Sequence, residues 1–392
     1  MSVRPRELRV LLMVDATQGF DREVLRGVGL YANSVSGWFF RAYGSAKEDH
    51  LCEKLIHAWQ PTGVISLTRT WSTPLQLADR FGMAIVQAHE LEEGSAAVNA
   101  PCIVTDARAV AETVADYFLG RGLDSIGHVG SDRAIAHRHS GYLLEAAEKR
   151  GMVFSNFFGE PRGDLDPDKK FRRWLSGLPR HTGLLASSDW FAWNAITECL
   201  DGGFKVPDDF AFIGTGDDSP WCDLAPVPLS SVALAGEKIG YRAASLLDQM
   251  MCGKPVPRQT TEIPPVGIVT RRSSEVIAAE DADIAAALRY IHDHATGGCT
   301  VKQVLQTVAI DRRRLERWCR QKLGRSPLDE IQRLRMDNVK RILAQTDERI
   351  EEVARRAGFG SATVLCRAFQ RETGTTVSTY RRQFKRAKSQ PA

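Results

Sequence analysis

The sequence predicts an α/β domain of two lobes followed by an all-α domain with two helix-turn-helix units, and three observations lead there. Apolar runs of strand length alternate with helical patterns over the first 275 residues. Near residue 280 that alternation gives way to helical patterns with short breaks, and the charge changes sign at the same place. A chain of 392 residues also exceeds the roughly 150 expected of one domain.

The formal net charge of +4 conceals the division. From Asp281 to Ala392 there are 23 Lys and Arg against 13 Asp and Glu, a net of +10, and 18 of the 23 are Arg. The first 280 residues hold 29 basic against 35 acidic groups, a net of −6. Arginine's planar fork suits phosphate oxygens and guanine edges, so a basic module joined to an acidic one points to a nucleic-acid partner. A hydrophobic content of 43% with 26% charged residues fits a globular chain and excludes a disordered one. No apolar stretch approaches the roughly 18 residues of a membrane span, and Met1–Leu8 runs into a strand with no cleavage pattern. The expectation is a cytoplasmic protein with no membrane partner. The eight cysteines are scattered, with no Cys-x-x-Cys pair and no Cys/His ligand spacing, so reduced thiols and no metal site are expected.

Taken in order, Leu8–Val14 is a continuous apolar run, the mark of a strand covered on both faces. A helix follows over Asp21–Ala32. Further strands are expected at Gly63–Thr68, Ala84–Ala88, Cys102–Asp106, Ser125–Gly130, Gly183–Ser188 and Phe210–Gly214. Apolar residues three and four apart mark helices at Ala107–Gly120, Ile135–Arg150, Trp190–Cys199 and Glu237–Met251. In sheets of this kind ligands bind beyond the carboxyl ends of the strands. Asp106, Ser188, Asp189, Asp217 and Asp218 sit at such ends, and Arg138 lies near the start of a helix that follows one. With Phe20, Trp190 and Trp221 they would suit a sugar, whose hydroxyls take hydrogen bonds while its C–H face stacks on a ring. The same acids and serine are also favoured helix caps, so each carries two readings.

The segments CIVTD, HRHSGY, LLASSDW, IGTGDDS, LSSVAL and IPPVGIVTRRSS resemble the periplasmic-binding-protein-like effector domain of the LacI/GalR regulators, over roughly residues 6–275. That resemblance implies an effector in the cleft between two lobes, held at the positions of Arg138, Ser188 and Asp217, with Asp106 a further ligand-proximal acid. Two departures stand out. Ser188-Asp189 replaces the family's usual Asn/Asp or Thr/Asp pair, and the N-terminal DNA-binding headpiece has no counterpart before Leu8.

After the small, acidic stretch VIAAEDADIAAA, read as a linker over residues 276–285, the basic module follows over 286–392. Thr300–Val308 is helical, Ala309–Asp311 a break, and Arg312–Lys322 a second helix. At about 100° per residue, Leu315, Trp318, Cys319 and Leu323 share one face, and Arg313, Arg317, Arg320 and Gln321 lie opposite. The arrangement recurs fifty residues later: aligning Leu315 with Leu365 brings Arg317 onto Arg367 and Gly324 onto Gly374. There Ile350–Ala357 ends at Gly358, Ser361 caps the next helix, Leu365 and Phe369 face inward, and Thr363, Arg367, Gln370 and Arg371 face outward. Between the units Ser326-Pro327 opens a helix over Leu328–Gln345 that would fix their separation. A helix of this kind fits the major groove, where Arg pairs with guanine O6 and N7.

The tail resembles the AraC/XylS DNA-binding domain over about Ile284–Lys385, most specifically in IEEVARRAGFGSATVLCRAFQRETGTTVSTYRR. The resemblance implies base readers at Arg313, Glu316 and Arg317 in the first unit and at Ala362, Thr363 and Arg367 in the second; Arg312, Arg314, Arg320, Ser361 and Arg371 complete the expected DNA-binding set. Ala309 stands where that family has a turn glycine, and Asp311 where it has a cap serine. A LacI-type sensor over 1–275 followed by an AraC-type tail is an unusual order that resembles bacterial pentose-operon regulators, and that resemblance implies a transcriptional activator that binds xylose or another pentose. It implies further that the regulator holds promoter DNA as a homodimer and meets RNA polymerase.

An enzyme on the α/β domain, or another carbohydrate sensor there, is the alternative. The chain has no Gly-x-Ser-x-Gly elbow, Walker loop or His-Glu-x-x-His, so no catalytic residue or cofactor is expected. Gly214-Thr215-Gly216 is followed by Asp-Asp-Ser and reads as a ligand-lining turn. His137-x-His139 and His292-x-His294 read as polar histidines rather than metal ligands. A transport sugar-binding protein is disfavoured by the basic tail and the missing signal peptide.

Overall fold

The computed structural model describes residues 8–14, 19–35, 37–43, 49–67, 82–90, 100–162, 169–276, 282–346 and 348–385. The first lobe is built on a parallel sheet of β1 (Leu8–Met13), β2 (Trp38–Tyr43), β3 (Gly63–Ser66), β4 (Ala84–Gln87), β5 (Cys102–Thr105) and β11 (Thr260–Ile263), in the order β11-β5-β4-β3-β1-β2. The second is built on β6 (Ser125–Gly130), β7 (Val153–Phe158), β8 (Thr182–Ala186), β9 (Phe210–Thr215), β10 (Ser230–Ala233) and β12 (Gly267–Val269), in the order β12-β10-β9-β8-β6-β7, with only the β10–β12 pair antiparallel.

The apolar runs form strands because both faces of each sheet are covered. Val10, Ile65, Val86 and Ile103 pack against α1 (Gly19–Ser34) and α8 (Gly236–Met251), while Leu11, Met13, Val64 and Ile85 face Ile56 of α2 (Asp49–Trp59) on the other side. Helix α1 crosses α8 backbone to backbone. A Cβ at Gly27 would stand 2.0 Å from the Glu237 carbonyl and one at Gly240 would stand 1.9 Å from that of Val24, so only glycine permits the approach. In the second lobe, α3 (Ala107–Leu119) and α4 (Ala134–Glu148) cover one face through Val114, Phe118 and Leu143. The helices α5 (Lys170–Ser176), α6 (Asp189–Asp201) and α7 (Ser219–Leu224) cover the other through Phe171, Ile196 and Cys222.

Among the described residues the chain passes between the lobes three times: after β5, between β10 and α8, and between β11 and β12. Backbone hydrogen bonds tie the crossings together, from Asp106 N–H to the Ile263 carbonyl at 2.9 Å and from Val266 N–H to the Ala233 carbonyl at 2.8 Å. The strands absent from the sequence reading are β2, β7, β10, β11 and β12. Strand β2 is an edge strand with Phe39 and Phe40 exposed, and β11 (TTEI) is polar, so neither shows a buried apolar run.

The described residues of the tail form helices joined by short turns. These helices are α9 (Ala282–His294), α10 (Val301–Val308), α11 (Arg312–Trp318) with a π turn at Cys319–Leu323, α12 (Pro327–Gln345), α13 (Ile350–Arg356), α14 (Ala362–Thr373) and α15 (Val377–Lys385). Helix α9 begins inside the segment read as a linker, of which residues 277–281 lie outside the described residues. Helix α12 starts where Ser326 and Asp329 form a capping box with Pro327 in the first turn. It contributes Ile331 and Leu334 to the core of the first unit and Val339, Ile342 and Leu343 to that of the second. Among the described residues no helix is long and apolar enough to cross a membrane.

Candidate functional site

A cavity of about 140 Å³ opens between the two lobes at the carboxyl ends of their strands, roughly ten times the least space that holds one water. The first lobe supplies Phe20 at the start of α1, and His89 and Glu90 after β4. The second supplies His128, His139, Ser188, Asp189, Trp190, Asp218 and Trp221. Two ion-pair clusters join the lobes at the rim. Arg22 of α1 reaches Asp218 at 2.8 Å, and Glu90 forms an ion pair with Arg138 at 3.1 Å and meets His139 at 2.7 Å.

Of the six residues expected to hold a ligand, Phe20, Ser188 and Asp189 line the cavity. Ser188 does so while also capping α6, its Oγ accepting from Phe191 N–H at 3.3 Å, so both readings hold for it. Asp189 is buried at the first turn of α6. It accepts from the Ser231 hydroxyl at 2.5 Å and from Asp218 N–H at 2.7 Å, and burial pushes its carboxyl up to about 7. The other three contact neighbouring residues rather than the cavity itself. Asp106 caps α3 through Ala109 N–H at 2.8 Å, and Arg138 orients Glu90. Asp217, at φ +52°, pairs with the buried Arg271 at 2.8 Å and donates its N–H to Ser231 at 2.9 Å.

Residues outside the expected set complete the lining. Glu90, His89 and His139 carry no local signal, because what brings them to the cavity is the meeting of two lobes. His128 did leave a trace, as the polar residue inside the fully buried strand β6. It sits 3.2 Å from Ser187 Oγ, and burial pushes its imidazole down to about 3, so it is neutral at pH 7. The paired histidines part company: His137 stacks on Phe158 and meets Asp132, while His139 meets Glu90. No group of three or more His, Cys, Asp or Glu among the described residues could hold a metal ion. The cavity combines acids that accept from hydroxyls with ring faces that cover C–H bonds, the chemistry that recognises a neutral polyol.

The second candidate surface lies on the tail. Leu315, Cys319, Leu365 and Phe369 are fully buried, and Arg313, Arg317, Arg320, Gln321, Thr363, Arg367, Gln370 and Arg371 are exposed, as the face counting predicts. Asp311 caps α11 through Arg314 N–H at 2.9 Å, and Ser361 caps α14 through Val364 N–H at 3.3 Å. Ala362 is half-buried beside that cap. Two of the first unit's arginines are engaged within the protein: Arg312 pairs with Glu316 at 2.8 Å, and Arg314 with Asp283 of α9 at 2.9 Å. Ala309 adopts φ +55°, the left-handed turn that its departure from the expected glycine makes costly.

Comparisons with known proteins match both domains. Residues 115–274 match the periplasmic binding protein-like domain family, and residues 304–383 match a helix-turn-helix domain family. The xylose operon regulatory protein of Escherichia coli strain K12 is 28% identical over 386 residues, covering 95% of this chain and 96% of the relative. Its namesake in Haemophilus influenzae is 24% identical over 389 residues, 95% of this chain and 98% of the relative. A solved structure described as the xylose-binding transcription activator xylR superposes with a TM-score of 0.61 at 25% identity, covering 96% of this chain and 98% of that one.

Proposed function

We propose that this chain, a DNA-binding transcriptional regulator with a periplasmic-binding-protein-like sensor and an AraC-type helix-turn-helix reader, activates genes of pentose catabolism when xylose or another pentose fills its cleft. One observation carries the reading: a single chain pairs an interlobe cavity of acids and aromatic rings with two helix faces of exposed arginine. The likeness to xylose regulators over 95% of the chain supports the choice of sugar.

In this reading residues 1–275 sense, 276–285 link and 286–392 read. Asp189, Ser188 and Phe20 meet the sugar with Glu90, His139 and Asp218, while Arg138, Asp217 and Asp106 hold that wall and the hinge in place. A sugar that touches both lobes favours the closed arrangement by its differential affinity, a population shift worth about 1–3 kcal/mol in typical couplings. A homodimer then presents four helix-turn-helix units to its half-sites in promoter DNA, in the cytoplasm, where it engages RNA polymerase. Arg313, Glu316, Arg317, Arg320, Thr363, Arg367 and Arg371 face the base edges and phosphates, with Arg312 and Arg314 beside them and Ser361 and Ala362 at the entry of the second recognition helix.

A melting-temperature panel of D-xylose, L-arabinose, D-ribose and D-glucose tests the sensor, since a ligand at about 100 times its Kd adds about 2.7 kcal/mol of stability. Anisotropy titration on a duplex selected from a random pool, with and without the sugar, tests the coupling. A rise in melting temperature with a pentose and a sugar-dependent DNA affinity are expected. No response to any pentose, or turnover of the sugar, would overturn the proposal.

A further inference from the structure

Helix α3 touches the hinge, the cavity and the tail. Its cap Asp106 is bonded at the lobe crossing, its first turns line the cavity through Ala107, Val110 and Ala111, and its far end meets α12. There the Gly120 carbonyl accepts from Arg325, and Arg121, only 7% exposed, reaches Asp337 at 3.2 Å. Asp337 also accepts from Arg333 at 2.5 Å. Arg333 is bound to the buried Glu330, which accepts from Arg325 and lies 3.8 Å from His292.

A second route, made of polar contacts, joins the same two ends. From the cavity, Asp189 holds the Ser231 hydroxyl, which accepts from Asp217 N–H, and Asp217 pairs with Arg271. The Arg271 backbone is bonded in both directions to Ser230 Oγ at 2.7 Å. Ser230 accepts from Ser274 at 2.7 Å, and Ser274 meets the Tyr117 hydroxyl at 2.5 Å. The Tyr117 ring lies 3.3 Å beneath the Arg121 guanidinium, and Arg121 closes the path to Asp337. Ser230, Ser231 and Ser274 are all fully buried, so this stretch is shielded from bulk solvent.

Both routes end on one stacked pair. We infer that Tyr117 and Arg121 transmit the state of the cleft to the DNA-binding tail, as positioning residues that touch neither the sugar nor the DNA. The inference rests on the proposed function. A rigid helix whose start moves with the hinge must carry its end along, and packed interfaces hold discrete arrangements rather than yielding continuously. Tyr117 fixes where that end points, because its hydroxyl is tied to Ser274 and to Thr270 at 3.2 Å.

The test uses the full-length chain, D-xylose, and a duplex selected from a random-sequence pool by the wild-type protein. The ratio of DNA dissociation constants without and with saturating xylose is the coupling, and linkage requires the same ratio when xylose is titrated with and without DNA. Tyr117→Phe keeps the stacked ring and removes the hydroxyl; Asp337→Asn removes the charge that Arg121 meets. Both are expected to bring the ratio below about a third of its wild-type value while each ligand still binds the variant alone. Tyr142→Phe, on the same lobe and stacked under Arg108 at 4.6 Å, is expected to keep the wild-type ratio. Should Asp337→Asn fail to fold, judged by circular dichroism, Tyr117→Phe decides. An unchanged ratio in the folded variants overturns the inference and leaves the function standing. A wild-type chain whose DNA affinity ignores every pentose overturns the function, and the inference with it.

Discussion

The two helix-turn-helix units follow one plan and are held differently. The first turns through a strained Ala309, commits Arg312 and Arg314 to ion pairs within the protein, and adjoins the sensor, where Leu323 lies against Gly122 and Arg325 reaches the Gly120 carbonyl. The second turns through Gly358 at φ +74°, and Arg367 and Arg371 make no ion pair among the described residues. The contrast lies in the recognition helices: the first is tied to the protein through Arg312 and Arg314, whereas Arg367 and Arg371 of the second are open, the ion pairs of its unit being made by Arg355 and Arg356 of the preceding helix.

The largest effects should come from the two cores. Leu315→Ala and Leu365→Ala each delete a fully buried side chain, and each is expected to lower stability by about 2–5 kcal/mol in denaturant unfolding. Only Leu315→Ala should also lower the coupling between sugar and DNA, because its unit adjoins the sensor. Equal loss of coupling in both would erase the contrast.

Sensor and junction should answer to pH with opposite sign. Burial raises the Asp189 carboxyl to about 7, so between about pH 4 and 7 the unfolded chain gives up its proton first and the stabilisation is lost as pH rises. Glu330 is the reverse. Burial alone would raise it, yet Arg333, His292 and Arg325 hold it well below the ordinary range, so its stabilisation is present above that range and lost on acidification. The stability of wild type relative to Asp189→Asn should therefore fall across pH 4 to 7, by a few kcal/mol at about 1.4 per unit. Relative to Glu330→Gln it should fall on acidification. Parallel melting profiles would contradict both assignments.

Arg317→Ala and Arg367→Ala should each weaken specific DNA binding by about 1–3 kcal/mol and leave sugar affinity intact. Wild-type operator affinity in both would misplace the recognition faces. Smallest is the turn itself: Ala309→Gly should add about 1 kcal/mol of stability by relieving the left-handed residue. Gly358→Ala should cost more than that, since its Cβ would also stand 2.7 Å from the Thr296 carbonyl. A destabilising Ala309→Gly would show that the first turn is not strained.

Much of this architecture was legible before any coordinates. The strands buried on both faces, the capped helices and the outward arginines of α11 and α14 all follow from patterns a few residues long. The site was legible in part. Phe20, Ser188 and Asp189 reach the cavity, whereas Asp106, Arg138 and Asp217 contact neighbouring residues instead, and nothing local to Glu90 or His139 marks them as wall residues. Edge and short strands such as β2 and β12 were missed for the same reason, since their pairing is decided by a neighbour far along the chain.

The sequence by itself determined the alternation of strands and helices, the caps at Ser188, Asp311 and Ser361, and the split of charge into −6 and +10. These depend on backbone geometry and side-chain periodicity within a turn or two. Only the tertiary structure decided that Glu90 would meet Arg138, that Asp189 would be buried against Ser231, and that Arg121 would meet Asp337 of the tail. Such contacts join residues tens to hundreds of positions apart, and they exist because two sheets, three crossings and a shared helix must pack at once.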